Sequence, residues 1–518
     1  MKALLHLLVI GLTASVACAQ EADSSAMLFD DTVVHEFNIH FYTEHWQDSL
    51  LYYYNQDEEY IPARVEYHGM VFDSVGVRYK GNSSFVQSRS TPKKPFKLKF
   101  DEYRSKQSCF GITRLNFSNG VKDPSFMREK LAYDILRTIL PSPRAAFATL
   151  SVDGALLGLY TQVEQVDKKF LSRHFEDNDF NLYKAADNGA TLEYRGDGGE
   201  QYEREFELKT NESTNDWSRL VAMIDVVNHT AGAHFVERAG ALLDLGNCIR
   251  MNAFNMAASH FDSYTGSGRN FYLYDDESTG RFVFIPWDAN EAFGAYSNNW
   301  NVITQDILSI PSLEKRPAFA RILENDSLRS EYLRYIRALA QGPLSLDSMT
   351  TRVLHWKTFL DPLVQADPHK LYSYQQFLDN IEKDVVVGIN MTIPGLLRFA
   401  KLRSERVIAQ ADAYLAGGSG AVLPNNPILL FDVYPNPATD AGMLRFQLLY
   451  GGAVSLLAVD MAGRIVFDHA LGWFTPGLHE TAAPAATLPS GSFIWKLRVS
   501  GGGDASFFSS GTKVLKLR

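Results

Sequence analysis

Residues 281–294 read RFVFIPWDANEAFG. An apolar run, Phe282 to Ile285, ends at Pro286, which removes a backbone donor and stops a strand. Trp287 supplies a bulky anchor and Asp288 projects at the strand terminus. A carboxylate there suits Mg²⁺, which takes one or two carboxylates together with phosphate oxygens. The plainer reading is an aspartate capping the turn that follows. Upstream, residues 260–270 read HFDSYTGSGRN. Asp262 follows an apolar helical run in a segment with two glycines, where an acidic side chain is placed to face a cleft. Asp262 and Asp288, 26 residues apart, are linked by a hairpin whose first strand begins at Asn270. Phosphoryl transfer uses such a set: a base-like Asp near the acceptor hydroxyl, and an Asp with an Asn to hold metal against phosphates.

Outward from this hairpin, residues 75–80 and 95–100 alternate like two strands joined by a loop. Arg78 and the turn Gly81, Asn82, Ser83 offer cationic, backbone N–H and hydroxyl groups to an anion, although the stretch matches neither a Walker loop nor G-x-G-x-x-G. The competing reading is an ordinary hairpin turn. In the basic run that includes Lys94, Lys97 and Lys99, the last two share one strand face opposite Phe96, Leu98 and Phe100. They could reach phosphates, or keep an edge strand soluble. Asp123 as N-cap and Pro124 at the first position predict a helix running from residue 126 to 140. Residues 147–152 and 156–163 around Asp153 and Gly154 predict a hairpin, followed by Glu164 in a connector, placed to touch a ribose or pair with a lysine, and a helix over 167–175. Helices dominate from Trp217. The order predicts an α+β fold.

The chain has 518 residues, too many for one core and enough for two or three domains. With 21% charged and 46% hydrophobic residues it reads as a folded soluble protein, and its net charge of −10, spread along the chain, argues against a nucleic-acid partner. Residues 1–19 read as a signal peptide: Lys2, an apolar core from Leu4 to Leu12, and Ala17, Cys18, Ala19 at the cleavage site. That core is shorter than the roughly 20 residues a membrane span needs, and no other run predicts a transmembrane segment. Cys18 permits a lipoprotein reading, against which Ser15 argues. After cleavage Cys109 and Cys248 remain, either bridged or as two buried thiols. There is no G-x-S-x-G, H-E-x-x-H or paired C-x-x-C. Glycines 417, 418 and 420 and prolines 424 and 427 mark a linker over 416–430, and short apolar runs separated by turns predict a small all-β sandwich over 431–518.

Seven ordered segments, VGVRYKGNSSF, KKPFKLKFD, LNFSNGVKDPSFMREKLAYDIL, VDGALLGLYTQVEQVDKKFL, NLYKA, HFDSY…RNFYLYDD and FVFIPWDANEAFG, resemble the CotH-type kinase family over roughly residues 35–410. The resemblance implies an atypical, two-lobed protein-kinase-like domain over residues 20–415 that binds ATP with Mg²⁺ or Mn²⁺ and phosphorylates serine or threonine of a protein substrate. On it, Asp262 resembles the catalytic-loop aspartate, Asp288 the metal-binding one and Asn270 a second metal ligand. Lys94, Lys97 and Lys99 are the candidates for the phosphate-contacting lysine, and Arg78, Gly81, Asn82, Ser83 and Glu164 complete the expected ATP site. Two departures stand out. Asn290 occupies the second acidic position of the family's PWDLD, and Asn270 follows Asp262 by eight residues where protein kinases use five. They leave open a catalytically inactive binding, adhesion or structural protein, and another nucleotidyl or phosphotransferase. The C-terminal segments around Pro435, Asp460, Pro489 and Lys513 resemble the type IX secretion sorting domain. That implies export through the periplasm by the type IX secretion machinery, and a secreted or cell-surface protein.

Overall fold

The computed structural model describes residues 23–56, 59–310, 313–388 and 391–416, and most of 428–516 in segments. The expected signal peptide, most of the expected linker and Pro435 to Ala438 lie outside the described residues.

The N-terminal third is a closed barrel. Its strands are β1 (His35–Phe41), β2 (Ile61–Tyr67), β3 (Met70–Tyr79), β4 (Phe96–Lys99), β5 (Arg114–Ser118), β6 (Ala145–Val152) and β7 (Ala155–Glu164), in the order β1-β2-β3-β4-β5-β7-β6. Two hairpins set the register: His68 and Gly69 between β2 and β3, and Asp153 and Gly154 between β6 and β7, each pair with positive φ. That is the requirement of a tight turn whose twist matches the strands. Phe37, Val65, Val77, Phe96, Leu98 and Phe117 fill the barrel. The alternate residues face outward, so Arg78 on β3 stands opposite Lys97 on β4, and Lys97 opposite Asn116 on β5.

Helix α1 (Trp46–Tyr54) connects β1 to β2, and α2 (Ser83–Gln87) lies in the β3–β4 connection. Helix α3 (Arg128–Leu136) begins later and ends earlier than the sequence predicts. The Asp123 carboxylate does act as a cap, but it accepts from the backbone of Ser125 and Arg128 and pairs with the Arg128 guanidinium at 2.8 Å. Phe126, at φ 57°, therefore turns the chain instead of opening a helix. Helix α4 (Lys168–His174) follows, with Asp167 accepting from Lys169 and Phe170 as N-cap.

A second sheet combines β8 (Leu182–Ala185) and β9 (Phe206–Leu208) with the hairpin β10 (Phe271–Asp276) and β11 (Arg281–Pro286), in the order β11-β10-β8-β9. Helices α5 (Ser218–His229), α6 (Phe235–Gly240), α7 (Leu245–Ala257), α8 (Pro317–Glu324), α9 (Asp326–Gln341), α10 (Leu346–Ala366), α11 (Tyr374–Asp379) and α12 (Leu396–Leu415) build the rest of this part. Phe254, Phe284, Phe319, Ile336, Leu360 and Val407 belong to its core. The architecture to residue 416 is α+β. Among the described residues no helix is long and apolar enough to cross a membrane.

Beyond residue 427 the described residues are strands in a three-stranded and a five-stranded antiparallel sheet. Leu444 and Phe446 of one and Leu456, Trp495 and Leu497 of the other share one apolar cluster.

The two cysteines are not bridged. Cys109 is buried in the barrel's apolar cluster and Cys248 in the helical core, and both thiols are free. Burial pushes the Cys109 thiol up to about 12.

Candidate functional site

A cleft of about 690 Å³ opens between the outer face of β3, β4 and β5 on one side and β8, β9 and the loops around β10 and β11 on the other. One wall is cationic: Arg78, Lys80, Lys97, Arg114 and, across the cleft, Lys184. The floor is acidic, with Asp262, Asp288 and Glu291.

Asp288 stands where the sequence predicts, just beyond the last β10–β11 pair, Phe271 opposite Pro286. It holds a left-handed conformation, φ 49°, and opens the short turn Ala289–Glu291. The Trp287 N–H donates to the Asn270 carbonyl at 3.0 Å, and Asn270 is also left-handed at φ 58°. Strained backbone of this kind persists only where the surroundings over-determine it, and it clusters at functional sites. Burial raises the Asp288 carboxyl, with Asp262 adding to the effect and Lys80 and Lys184 opposing it.

Asp262 is held by Asn270, whose side-chain amide donates to the Asp262 carbonyl at 2.8 Å and to Oδ2 at 3.0 Å. Asp262 Oδ1 is buried without a hydrogen-bond partner. The loop that returns from Asp262 to β10 requires Gly266, because a Cβ there would lie 2.0 Å from the Phe261 carbonyl oxygen.

Glu291 on the floor and Glu129 next to it both hold perturbed carboxyls. Glu291 accepts from Lys122 Nζ at 2.6 Å and is pushed up to about 7, chiefly by burial. Glu129 on α3 is buried and pushed up to about 8, by burial first and then by the nearby Asp288 charge. Glu129, Asp288 and Lys80 also line a small pocket behind the cleft.

Of the lysines singled out in the sequence, Lys97 and Lys99 line the cleft. Burial and the neighbouring charges of Arg78, Arg114, Lys80 and Lys184 hold the Lys97 amine well below the usual range. Crowding of like charges around a buried amine is relieved by a bound anion. Lys99 is paired with Glu102 at 2.5 Å. Lys94 is directed elsewhere: its amine donates to the carbonyls of Ser88 and Thr91, 2.7 Å to the latter, and lies over the Phe85 ring. Gly81, Asn82 and Ser83 line the cleft. Glu164 does not: it is buried between Arg144 and Arg173, at 2.8 Å from Arg144 Nη2 and 2.6 Å from Arg173 Nη2. Burial alone would raise its carboxyl, but the two guanidiniums hold it below the ordinary range. Its partners are arginines, one immediately before β6 and one on α4, not a lysine.

Sequence reading passed over Lys80, Lys184, Glu129 and Glu291. All four lie inside the quoted motifs, and Glu129 carries a readable signal: Arg128, Glu129 and Lys130 stand between Phe126-Met127 and Leu131-Ala132, and charged residues within an apolar stretch need partners. Among the described residues no three His, Cys, Asp or Glu side chains already converge as a metal cage. The donor set nevertheless fits Mg²⁺ or Mn²⁺ bound together with phosphate. Asp288 presents a carboxylate at the cleft, and Asn270 has its side-chain Oδ1 left once its amide nitrogen is used on Asp262.

A family model described as "CotH kinase protein" matches residues 77–405, which runs from the end of β3 through β4 to β11, takes in the cleft lining from Arg78 to Glu291 and ends short of the C-terminal sheets. The inner spore coat protein H of Bacillus subtilis (strain 168) is 26% identical over 335 residues, covering 64% of this chain and 88% of that protein.

Proposed function

The chain belongs to the CotH kinase protein family, and from that premise we propose that it transfers the terminal phosphoryl group of ATP to a serine or threonine hydroxyl of a protein substrate. In this reading the barrel and the helical part act as the two lobes of an atypical kinase. The observation that carries it is the free, buried oxygen of Asp262 in the same cleft as Asp288, with Lys80, Lys97, Arg114 and Lys184 lining that cleft.

Lys97, Lys80, Lys184 and Arg114 hold the phosphates, while Gly81, Asn82 and Ser83 close the barrel side of the pocket. Asp288 and Asn270 hold a divalent cation, which when bound neutralises charge on the phosphates. Asp262 accepts the proton of the acceptor hydroxyl as that oxygen bonds to phosphorus, the bond from phosphorus to the bridging oxygen breaks, and ADP leaves. The gain comes chiefly from positioning and charge stabilisation, as expected of phosphoryl transfer.

Residues 1–19 direct the chain out of the cytoplasm, and residues 431–518 are the sorting signal read by a type IX secretion machinery, giving a secreted or cell-surface protein. Expression of the full chain and of a truncation at residue 430, followed by fractionation, tests that route. Retention of both to the same extent rules out a sorting role.

Asn290 at the second acidic position favours a rival reading, a descendant that binds nucleotide without transfer. Incubation of the purified chain with γ-labelled ATP and Mg²⁺ or Mn²⁺ decides. Incorporation abolished in Asp262→Ala and Asp288→Ala supports the kinase, and no incorporation with either metal supports the binder. Intact mass of the product separates a phosphoryl adduct from a nucleotidyl one.

A further inference from the structure

Asn290 and Glu291 are neighbours in the turn after Asp288, and both line the cleft. Glu291 is 4% exposed, yet it lines the cleft together with Asp262 and Asp288. Its Oε1 accepts from Lys122 Nζ at 2.6 Å, and its Oε2 is buried with no hydrogen-bond partner. A buried, unpartnered carboxylate oxygen is costly and calls for a partner, either an ordered donor or a cation.

Lys122 makes that orientation specific. It is itself buried, in a left-handed conformation at φ 60°, and its backbone N–H donates to Tyr372 Oη at 2.7 Å. The amine is thus delivered from a braced loop to one oxygen of Glu291, leaving the other as the free one. Asp262 Oδ1 is the second unpartnered buried carboxylate oxygen in the same cleft.

We infer that Glu291, with its free Oε2, is a ligand of the divalent cation at Asp288, supplying the second carboxylate that Asn290 does not, and that Lys122 is its positioning residue. This rests on the kinase reading above. It makes the replacement at position 290 a one-residue relocation of the ligand, not its loss.

The test is Mn²⁺ binding to the full chain in the presence of a non-hydrolysable ATP analogue, followed by the electron paramagnetic resonance of free Mn²⁺, with phosphoryl transfer measured in parallel. Glu291→Gln keeps the acceptor for Lys122 and removes the charge. It is expected to weaken Mn²⁺ roughly tenfold or more, whereas Asn290→Ala leaves Mn²⁺ affinity unchanged. If Glu291→Gln fails to fold, Glu291→Asp, which withdraws the oxygen by one methylene, has to show the same weakening. A folded variant at 291 that binds Mn²⁺ like the wild type overturns the inference, and wild-type transfer then leaves the kinase reading standing. Wild-type protein that binds Mn²⁺ and transfers nothing overturns the kinase reading, while the ligand role of Glu291 is still decided by the affinities. Wild-type protein that binds no Mn²⁺ overturns both.

Discussion

The side-chain amide of Asn270 grips Asp262 twice, at the backbone carbonyl (2.8 Å) and at Oδ2 (3.0 Å), so the residue just before strand β10 orients the proposed catalytic carboxylate eight positions before it. The eight-residue spacing that departs from the protein-kinase pattern is accommodated by the tight loop at Gly266. Asn270 therefore orients the base through its amide nitrogen and still has its side-chain Oδ1 for a cation.

Loss of that grip is expected to reduce turnover more than nucleotide binding. Asn270→Ala removes a hydrogen bond to a charged group, an effect of about 1.5–3 kcal/mol, which corresponds to roughly a ten- to hundredfold fall in kcat. Steady-state transfer kinetics with parallel nucleotide binding check this. An Asn270→Ala enzyme with wild-type kcat would show that Asp262 needs no orientation by residue 270.

Lys93 and Asp367 form a buried ion pair at 2.5 Å, with side chains 0% and 1% exposed. Asp367 also accepts from the Leu159 backbone at 3.0 Å, so the pair ties the barrel to the segment after α10. Lys93→Met alone strands the carboxylate and should cost about 3–5 kcal/mol, whereas the double change Lys93→Met with Asp367→Leu recovers much of that loss. Urea unfolding of both variants measures it, and equal losses in the two would contradict the account.

Glu129 is protonated more readily in the folded chain than in the unfolded one, its carboxyl being raised from 4.5 to about 8. Between those values the unfolded state binds fewer protons, so stability falls as pH rises from about 5 to 8 and levels off above. Glu291, raised to about 7, acts in the same sense. Glu129→Gln should flatten the decline by an amount on the order of a few kcal/mol. Denaturant midpoints at pH 5 and pH 8 provide the comparison, and an unchanged slope in Glu129→Gln would assign the pH dependence elsewhere.

Because Cys109 and Cys248 sit in separate apolar cores as free thiols, reductant should leave the melting temperature unchanged. Protein lacking residues 1–19, denatured without reductant, should take up two equivalents of alkylating reagent. Uptake of none would reveal a bridge.

Local patterns were readable where the chain itself encodes them. Asp153 and Gly154 name a turn with two positive φ values, and the hairpin follows. The apolar run into Pro286 names a strand end, and Asp288 stands there. Asp167 names the start of α4. Misreadings arose where a local signal was answered from far away in sequence. Asp123 has the chemistry of an N-cap, but its carboxylate is shared with Arg128, which also reaches Asn380 and the Pro394 carbonyl, and the helix start shifts accordingly. Lys94 and Glu164 have the right charges for a phosphate or a lysine, yet backbone carbonyls claim one and two arginines the other.

The sequence by itself determined the α+β order of elements, the hairpin that separates Asp262 from Asp288, and the alternation that puts Arg78 and Lys97 on the outer face of the barrel. Only the tertiary structure decided which charges face the cleft, which are neutralised in pairs such as Lys93 with Asp367, and that Lys122, 169 positions before Glu291, leaves one of its oxygens free. Periodicity and turn chemistry act over a few residues, whereas the choice of partner for a buried charge is made by whichever opposite group the packed fold brings within hydrogen-bond reach.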